Sequence, residues 1–280
     1  KNNAEIQNMK RSHLVDGVAL TKFLLWLKKN FGRKKITEIS AQKKLESFRK
    51  KDPSYKFPSF DTISGSGPNS AIIHYKASKK TNRTLKKEDL YLVDSGGQYF
   101  FGTTDVTRTV SFNNKSNFIK EIYTRVLKGH IAVSDYKLRK NSTGSHIDRN
   151  ARKYLKKISL DYPHGTGHGV GYFLNVHEGP QSFSKNNKIN LKSGMVISNE
   201  PGYYKEGNFG IRIENLIYIK KSKFEELTMA PIEKEPIIKK LLNKKEITWL
   251  NNYHKKVKKN LFKFMNFKEK TDLKKACSPI

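Results

Sequence analysis

Cysteine is nearly absent from this chain of 280 residues: Cys277, three positions from the end, is the single one. No disulfide can form within the chain, which excludes a small secreted scaffold stapled by bridges and leads us to expect a reducing, cytoplasmic compartment. Long apolar runs are missing too. No stretch approaches the ~20 residues that span a bilayer, and no signal peptide is read at the start, so no membrane partner is expected. Acidic residues are scarce, with 25 Asp and Glu against 56 Lys and Arg, for a formal net charge of +31.

That charge invites a nucleic-acid reading, but its distribution argues against one. Lysines run along the whole chain in short pairs such as Lys28-Lys29, Lys34-Lys35 and Lys79-Lys80. Arginine, whose planar fork grips phosphate with two bonds, is much rarer. We therefore read a solvated lysine surface and expect no specific nucleic-acid partner, only salt-sensitive, non-specific attraction to polyanions. Hydrophobic residues make up 36% of the chain, and the length suffices for a substantial core.

One stretch is unusually rich in glycine and histidine: His164-Gly165-Thr166-Gly167-His168-Gly169-Val170, followed by His177-Glu178-Gly179-Pro180. Glycine gives up the most backbone freedom on folding, so this density implies close backbone approach or converging side chains. Around it, apolar periodicity predicts a helix over 4–31, a second from an N-cap at Ser40 to Lys51, and a Gly/Ser/Pro-rich loop leading into a strand Ala71–Tyr75. A hairpin follows, Leu90–Asp94 with Tyr99–Phe112, then helices Asn117–Tyr136 and Ser145–Lys157. Strands are predicted at Met195–Ser198, Phe209–Ile219 and Phe224–Pro231, and a lysine-rich helical tail from Ile237 onward. Helix pairs alternating with strands predict an α+β fold, a mostly antiparallel sheet covered by helices, with a hint of internal duplication.

Acids stand where burial should forbid them. Asp94 ends the run Leu90-Tyr91-Leu92-Val93, Asp105 lies in Thr103-Thr104-Asp105-Val106-Thr107, and Glu214 lies in Ile211-Arg212-Ile213-Glu214-Asn215. Glu200 follows Met195-Val196-Ile197 and precedes Pro201-Gly202-Tyr203-Tyr204. A single such acid would be met by a lysine. Four of them beside a histidine loop need something positive between them, and an oxygen-rich set of this kind suits two divalent ions with bridging carboxylates.

These residues resemble the five metal ligands of the pita-bread metallopeptidases: Asp94, Asp105, His168, Glu200 in Asn199-Glu200-Pro201-Gly202, and Glu214 in Arg212-Ile213-Glu214-Asn215. Gly67-Pro68-Asn69-Ser70-Ala71-Ile72-Ile73-His74-Tyr75, Asp94-Ser95-Gly96, Gly102–Thr109 and Val176-His177-Glu178-Gly179-Pro180 are most similar to the larger Xaa-Pro aminopeptidases. The resemblance implies a creatinase/methionine aminopeptidase-like fold with pseudo-two-fold symmetry. It implies two divalent metal ions, manganese first, with zinc or cobalt as alternatives. Asp94 would hold one ion, His168 and Glu200 the other, and Asp105 and Glu214 both.

The implied activity is removal of the N-terminal residue from peptides with proline in second place, through attack by a hydroxide held between the metals. Glu200 would shuttle the proton. His74, His164 and His177 would surround the substrate as catalytic and substrate-binding residues, with Arg212 and Tyr203 supporting the same region. Cleavage of Xaa-Pro dipeptides only, as in prolidase, is the alternative. A non-catalytic binding module of this fold is a further one, disfavoured because such modules lose ligands and all five stand here. His130, His146 and His254 read as structural or surface residues, and His13 is unassigned. The resemblance implies a homodimer and a single catalytic domain over 1–280, with a helical extension from about 232 to 280 in which no motif is read. The family's N-terminal domains are not in this chain.

Overall fold

The structure, a computed structural model, describes residues 1–280. The first half opens with two helices, α1 (Asn3–Asn30) and α2 (Glu38–Arg49). Asn2 caps α1 by accepting from the Glu5 N–H at 2.9 Å, and Glu5 returns the bond to the Asn2 N–H at 2.7 Å. Helix α2 starts two residues before the expected N-cap. Thr37 caps it, and Ser40 instead closes the reciprocal box, accepting from the Thr37 N–H at 2.8 Å.

Strands β1 (Tyr55–Pro58), β2 (Ile63–Ser66), β3 (Leu90–Ser95), β4 (Gly97–Tyr99), β5 (Gly102–Thr103) and β6 (Val106–Ser111) follow. The antiparallel sheet β2-β3-β6 carries this half, with Asp94 opposite Thr107. The expected long second hairpin strand is interrupted. Residues between β3 and β6 make a small excursion, where β4 pairs with β1 and β5. The strand expected at Ala71–Tyr75 is not formed. Gly67–Ala71 is a 3₁₀ turn with Pro68 in its first positions, closed by the Ser70 hydroxyl on the Gly67 carbonyl at 2.6 Å.

The second half repeats the order. Helices α3 (Asn117–Ser134) and α4 (Gly144–Lys156) pack on each other, then come β7 (Gly167–His168), β8 (Ser182–Phe183), β9 (Val196–Asn199), β10 (Gly202–Lys205), β11 (Phe209–Arg212), β12 (Asn215–Lys220) and β13 (Lys223–Glu226). Antiparallel β9-β12-β13 is the sheet of this half, and β10-β11 is a hairpin beside it. The expected strand over Phe209–Ile219 breaks at Ile213-Glu214, which frees Glu214 from the ladder.

The tail forms α5 (Lys244–Leu261) and α6 (Phe267–Ala276). It is part of the core. Leu250, Tyr253, Val257, Leu261, Leu273 and Cys277 share one buried cluster with Ile122 and Val126 of α3 and Ile211 of β11. A second cluster joins Leu20, Phe23 and Leu27 of α1 to Leu45 of α2 and to Tyr91, Val93, Val106 and Val110 of the first sheet. No helix is long and apolar enough to cross a membrane.

Candidate metal centre and active site

Residues from both halves meet at one cavity of about 440 Å³. Asp94, Asp105, His168, Glu200 and Glu214 all line it, with His74, His164, His177 and Arg212. Each acid arrives at a strand end or break. Asp94 stands one residue before the end of β3, Asp105 precedes β6, Glu200 follows β9, and Glu214 occupies the gap between β11 and β12.

Hydrogen bonds fix the set. His168 donates its backbone N–H to the Ser198 hydroxyl at 2.9 Å, and that hydroxyl donates to Glu200 Oε1 at 2.9 Å. The imidazole Nδ1–H faces the Gly169 carbonyl at 2.9 Å, which turns Nε2 towards the acids. Nε2 lies 3.3 Å from Asp105 Oδ2 and 3.4 Å from Glu200 Oε1. Donor atoms of Asp105, His168 and Glu214 come within 4.8 Å of one another. Thr107 donates its hydroxyl to Glu214 Oε2 at 2.7 Å. Gly169 must be glycine here, because a Cβ would sit 1.9 Å from the Glu178 carbonyl oxygen.

Arg212 is the buried guanidinium that pairs with one of these acids. Its Nη2 donates to Asp94 Oδ2 at 2.7 Å and its Nε to the Thr107 hydroxyl at 3.1 Å. Nη1 donates to the Tyr204 hydroxyl at 2.6 Å, and Tyr204 meets His164 Nε2 at 2.8 Å. His164 Nδ1–H is directed at the Gly165 carbonyl at 2.7 Å, so in the neutral ring Nε2 is the acceptor. Burial lowers its pKa.

Electrostatics show what the site lacks. Burial, aided by Asp94 and Glu200 and opposed by His168, pushes Asp105 up to about 6. Burial and the charges of Asp105, Glu200 and Asp94 raise Glu214 well above the usual carboxylate range. Burial alone would lower His168, but Asp105 and Glu200 outweigh it and push it up to about 9. Asp94 Oδ1 is buried without a hydrogen-bond partner. Protons stand in for missing positive charge, so the donor set fits divalent cations.

Each residue singled out from the sequence has a definite place. His177 packs edge-on against His168, with ring centroids 4.0 Å apart. His74 is exposed at the cavity wall beside Ile73. Tyr203 is not among the lining residues; its ring packs 6.0 Å from that of Phe209, at the edge of the core. Its neighbour Tyr204 reaches Arg212 and His164 instead. Strand alternation could have found this, since Gly202 pairs with Arg212 and Tyr204 is two residues on. Ser198 and Thr107 were likewise missed as supports. His130 and His254 are fully buried, whereas exposed His146 completes the cap of α4 by accepting from the Thr143 N–H at 3.2 Å. His13 is buried, with Nδ1 against the Met9 carbonyl at 2.6 Å.

With this geometry the comparisons are decisive. The profile of metallopeptidase family M24 matches residues 7–221, and that of the C-terminal region of peptidase M24 matches residues 220–280. The chain belongs to metallopeptidase family M24. It is 44% identical to Xaa-Pro aminopeptidase 1 of Dictyostelium discoideum over 99% of this chain and 46% of that protein. The crystal structure of an X-prolyl aminopeptidase from Caenorhabditis elegans, described as a cytosolic enzyme with a di-nuclear active site, superposes with a TM-score of 0.95. It is 39% identical and matches 100% of this chain and 48% of that one. Prolidase from Pyrococcus furiosus matches more loosely, with a TM-score of 0.70 at 28% identity over 81% of this chain and 64% of that one. The pita-bread fold of the M24 peptidases is therefore the fold here. The chain spans about half the length of the Xaa-Pro aminopeptidases it matches. Its lysine-rich tail, in which no motif was read, is the M24 C-terminal region.

Proposed function

We propose that this chain is the catalytic part of an aminopeptidase that releases the first residue from peptides with proline in second place. One observation carries the reading: four acids and His168 converge on a single cavity whose only buried Arg or Lys is Arg212. We assign Asp94, Asp105, His168, Glu200 and Glu214 as ligands of two divalent ions, manganese by resemblance. When bound, such ions supply Lewis acidity to the scissile carbonyl and lower the pKa of the attacking water.

The chain's own residues do the rest. An Xaa-Pro amide nitrogen carries no hydrogen, so it leaves only once a proton reaches it. Glu200, at the cavity wall 3.4 Å from His168, takes a proton from the attacking water and returns it to that nitrogen. His177 and His74 face the substrate and donate to the carbonyl oxygen as charge develops. His164 has both nitrogens engaged by Gly165 and Tyr204, so it shapes the cavity wall rather than moving protons. Phe60, Ile63, Ile73 and Val176 provide an apolar wall suited to the pyrrolidine ring.

The test is hydrolysis of Xaa-Pro-Xaa tripeptides and Xaa-Pro dipeptides by the manganese-loaded protein. Cleavage of the tripeptide, abolished by Asp94→Ala, is expected. Activity confined to dipeptides would assign a prolidase, the reading favoured by the Pyrococcus neighbour. A metal-free, folded, inactive protein would assign a binding module. From the resemblance we also propose one catalytic domain over 1–280, a homodimer, companion N-terminal domains and a cytoplasmic location, tested by analytical ultracentrifugation and cell fractionation.

A further inference from the structure

The segment just ahead of His177 is held in a backbone conformation that one of its residues resists. Leu174 has φ 61° and Asn175 φ 54°. Asparagine tolerates left-handed backbone, but in leucine the Cβ crowds the following carbonyl. Burial does not compensate, because Leu174 is 47% exposed and Phe173 45%. Backbone partners hold the turn instead.

The Gly171 N–H donates to the Asn175 carbonyl at 2.9 Å, a closure that requires glycine because a Cβ would lie 2.3 Å from the Leu174 carbonyl oxygen. The Leu174 N–H donates to Gln98 Oε1 at 3.0 Å. Gln98, only 1% exposed, accepts a second bond on Oε1 from the Thr103 hydroxyl at 2.8 Å. Its Nε2 donates to the carbonyls of Tyr99 at 3.1 Å and Gly102 at 3.4 Å. Every polar group of the side chain is used, and only one reaches outside the β4–β5 excursion. That one is the Leu174 bond. On the far side of His177, the Glu178 N–H donates to the Gly169 carbonyl at 2.7 Å. Val176 and His177, which line the cavity, hang between these two anchors.

We infer that Gln98 is a positioning residue for His177: it fixes the left-handed turn and so sets the imidazole against His168 over the metal centre. The kinetic part of this inference rests on the proposed Xaa-Pro aminopeptidase activity. The conformational part does not.

The test uses Gln98→Met, which keeps the volume and removes the bonds, in the manganese-loaded protein. We expect kcat on an Xaa-Pro-Xaa peptide to fall by about tenfold or more, with a smaller change in KM and undiminished metal content by elemental analysis. Adding Leu174→Asn, a residue at ease in left-handed backbone, should restore most of that kcat, while Leu174→Asn alone should leave activity unchanged. Limited chymotrypsin digestion gives a readout independent of activity. Wild type should resist cleavage after Phe173, Gln98→Met should be cut faster, and the double variant should regain resistance. Unchanged kcat and digestion in Gln98→Met would overturn the inference. So would a double variant no better than the single one, or loss of metal and fold together. An inactive wild type whose digestion pattern follows the expectation would sink the aminopeptidase reading and leave the clamp standing.

Discussion

Arg212 reaches three groups that would otherwise be unrelated: the Asp94 carboxylate, the Thr107 hydroxyl and the Tyr204 hydroxyl. A guanidinium does this because its donors lie in a rigid plane, which lysine lacks. Since Arg212 donates to Tyr204, the tyrosine hydrogen is free to go to His164 Nε2, the acceptor in the neutral ring. Tyr204→Phe removes the middle link without altering packing. The expected result is a kcat/KM on Xaa-Pro-Xaa peptide lower by about tenfold, or ~1.4 kcal/mol at the transition state. Tyr203→Phe should change nothing measurable, because that ring faces Phe209. Equal losses in the two variants would refute the chain. The choice between adjacent tyrosines was open in the sequence motif; only strand parity, fixed by the Gly202–Arg212 pair, settles it.

At the scale of elements, the loop that carries His74 depends on one carboxylate from α2. Glu38 is fully buried. It accepts from the N–H groups of Ser66 at 2.7 Å and Arg83 at 2.9 Å, the Tyr75 hydroxyl at 2.8 Å and the Asn69 amide at 3.0 Å. The N-terminus of α2 adds its own partial positive charge. Glu38→Gln sets an amide donor among these donors, so we expect a loss of about 2 kcal/mol in urea unfolding. A wild-type midpoint in that variant would show the loop to be held by other means. This dependence also explains what the sequence concealed. Apolar Ala71-Ile72-Ile73 reads as a strand, yet Ile72 is 55% exposed, because the Glu38 bonds shape Ser66–Arg83 as a loop. The first four helices were legible to within a turn, since capping residues and apolar stripes are local signals, whereas the tail expected to be helical from Ile237 onward forms helices only at Lys244–Leu261 and Phe267–Ala276. The breaks at Thr104-Asp105 and at Ile213-Glu214 were not, because tertiary bonds make them. The Thr104 carbonyl, for instance, accepts from the Ser59 hydroxyl at 2.8 Å. The acids that those breaks release were legible all the same, since a charge closing an apolar run needs a reason wherever the strand ends.

Across the whole molecule, three histidines lie buried outside the cavity that the acids line. Burial lowers His13 to about 4, and lowers His130 and His254 to about 3. In the unfolded chain the same imidazoles titrate near ~6.5. The unfolded state therefore binds protons more readily, and the stability these residues lend is complete above that value and drains away as the pH falls towards 4. Asp105 and Glu214 oppose this in metal-free protein, because carboxylates with raised pKa favour the folded state at low pH. A single substitution separates the two effects. His254 lies on α5 and accepts from the Ile232 N–H at 3.1 Å, a bond that the oxygen of a glutamine can take over. Lys234 and Arg108 add to burial in keeping it neutral. Urea unfolding of metal-free wild type and His254→Gln between pH 7 and pH 4 should give diverging curves. Wild type should lose about 3 kcal/mol more than the variant over that range, at ~1.4 kcal/mol per pKa unit. Parallel curves would mean that His254 is protonated at no cost in the fold, and that acid sensitivity arises at other groups, buried His13 and His130 first among them.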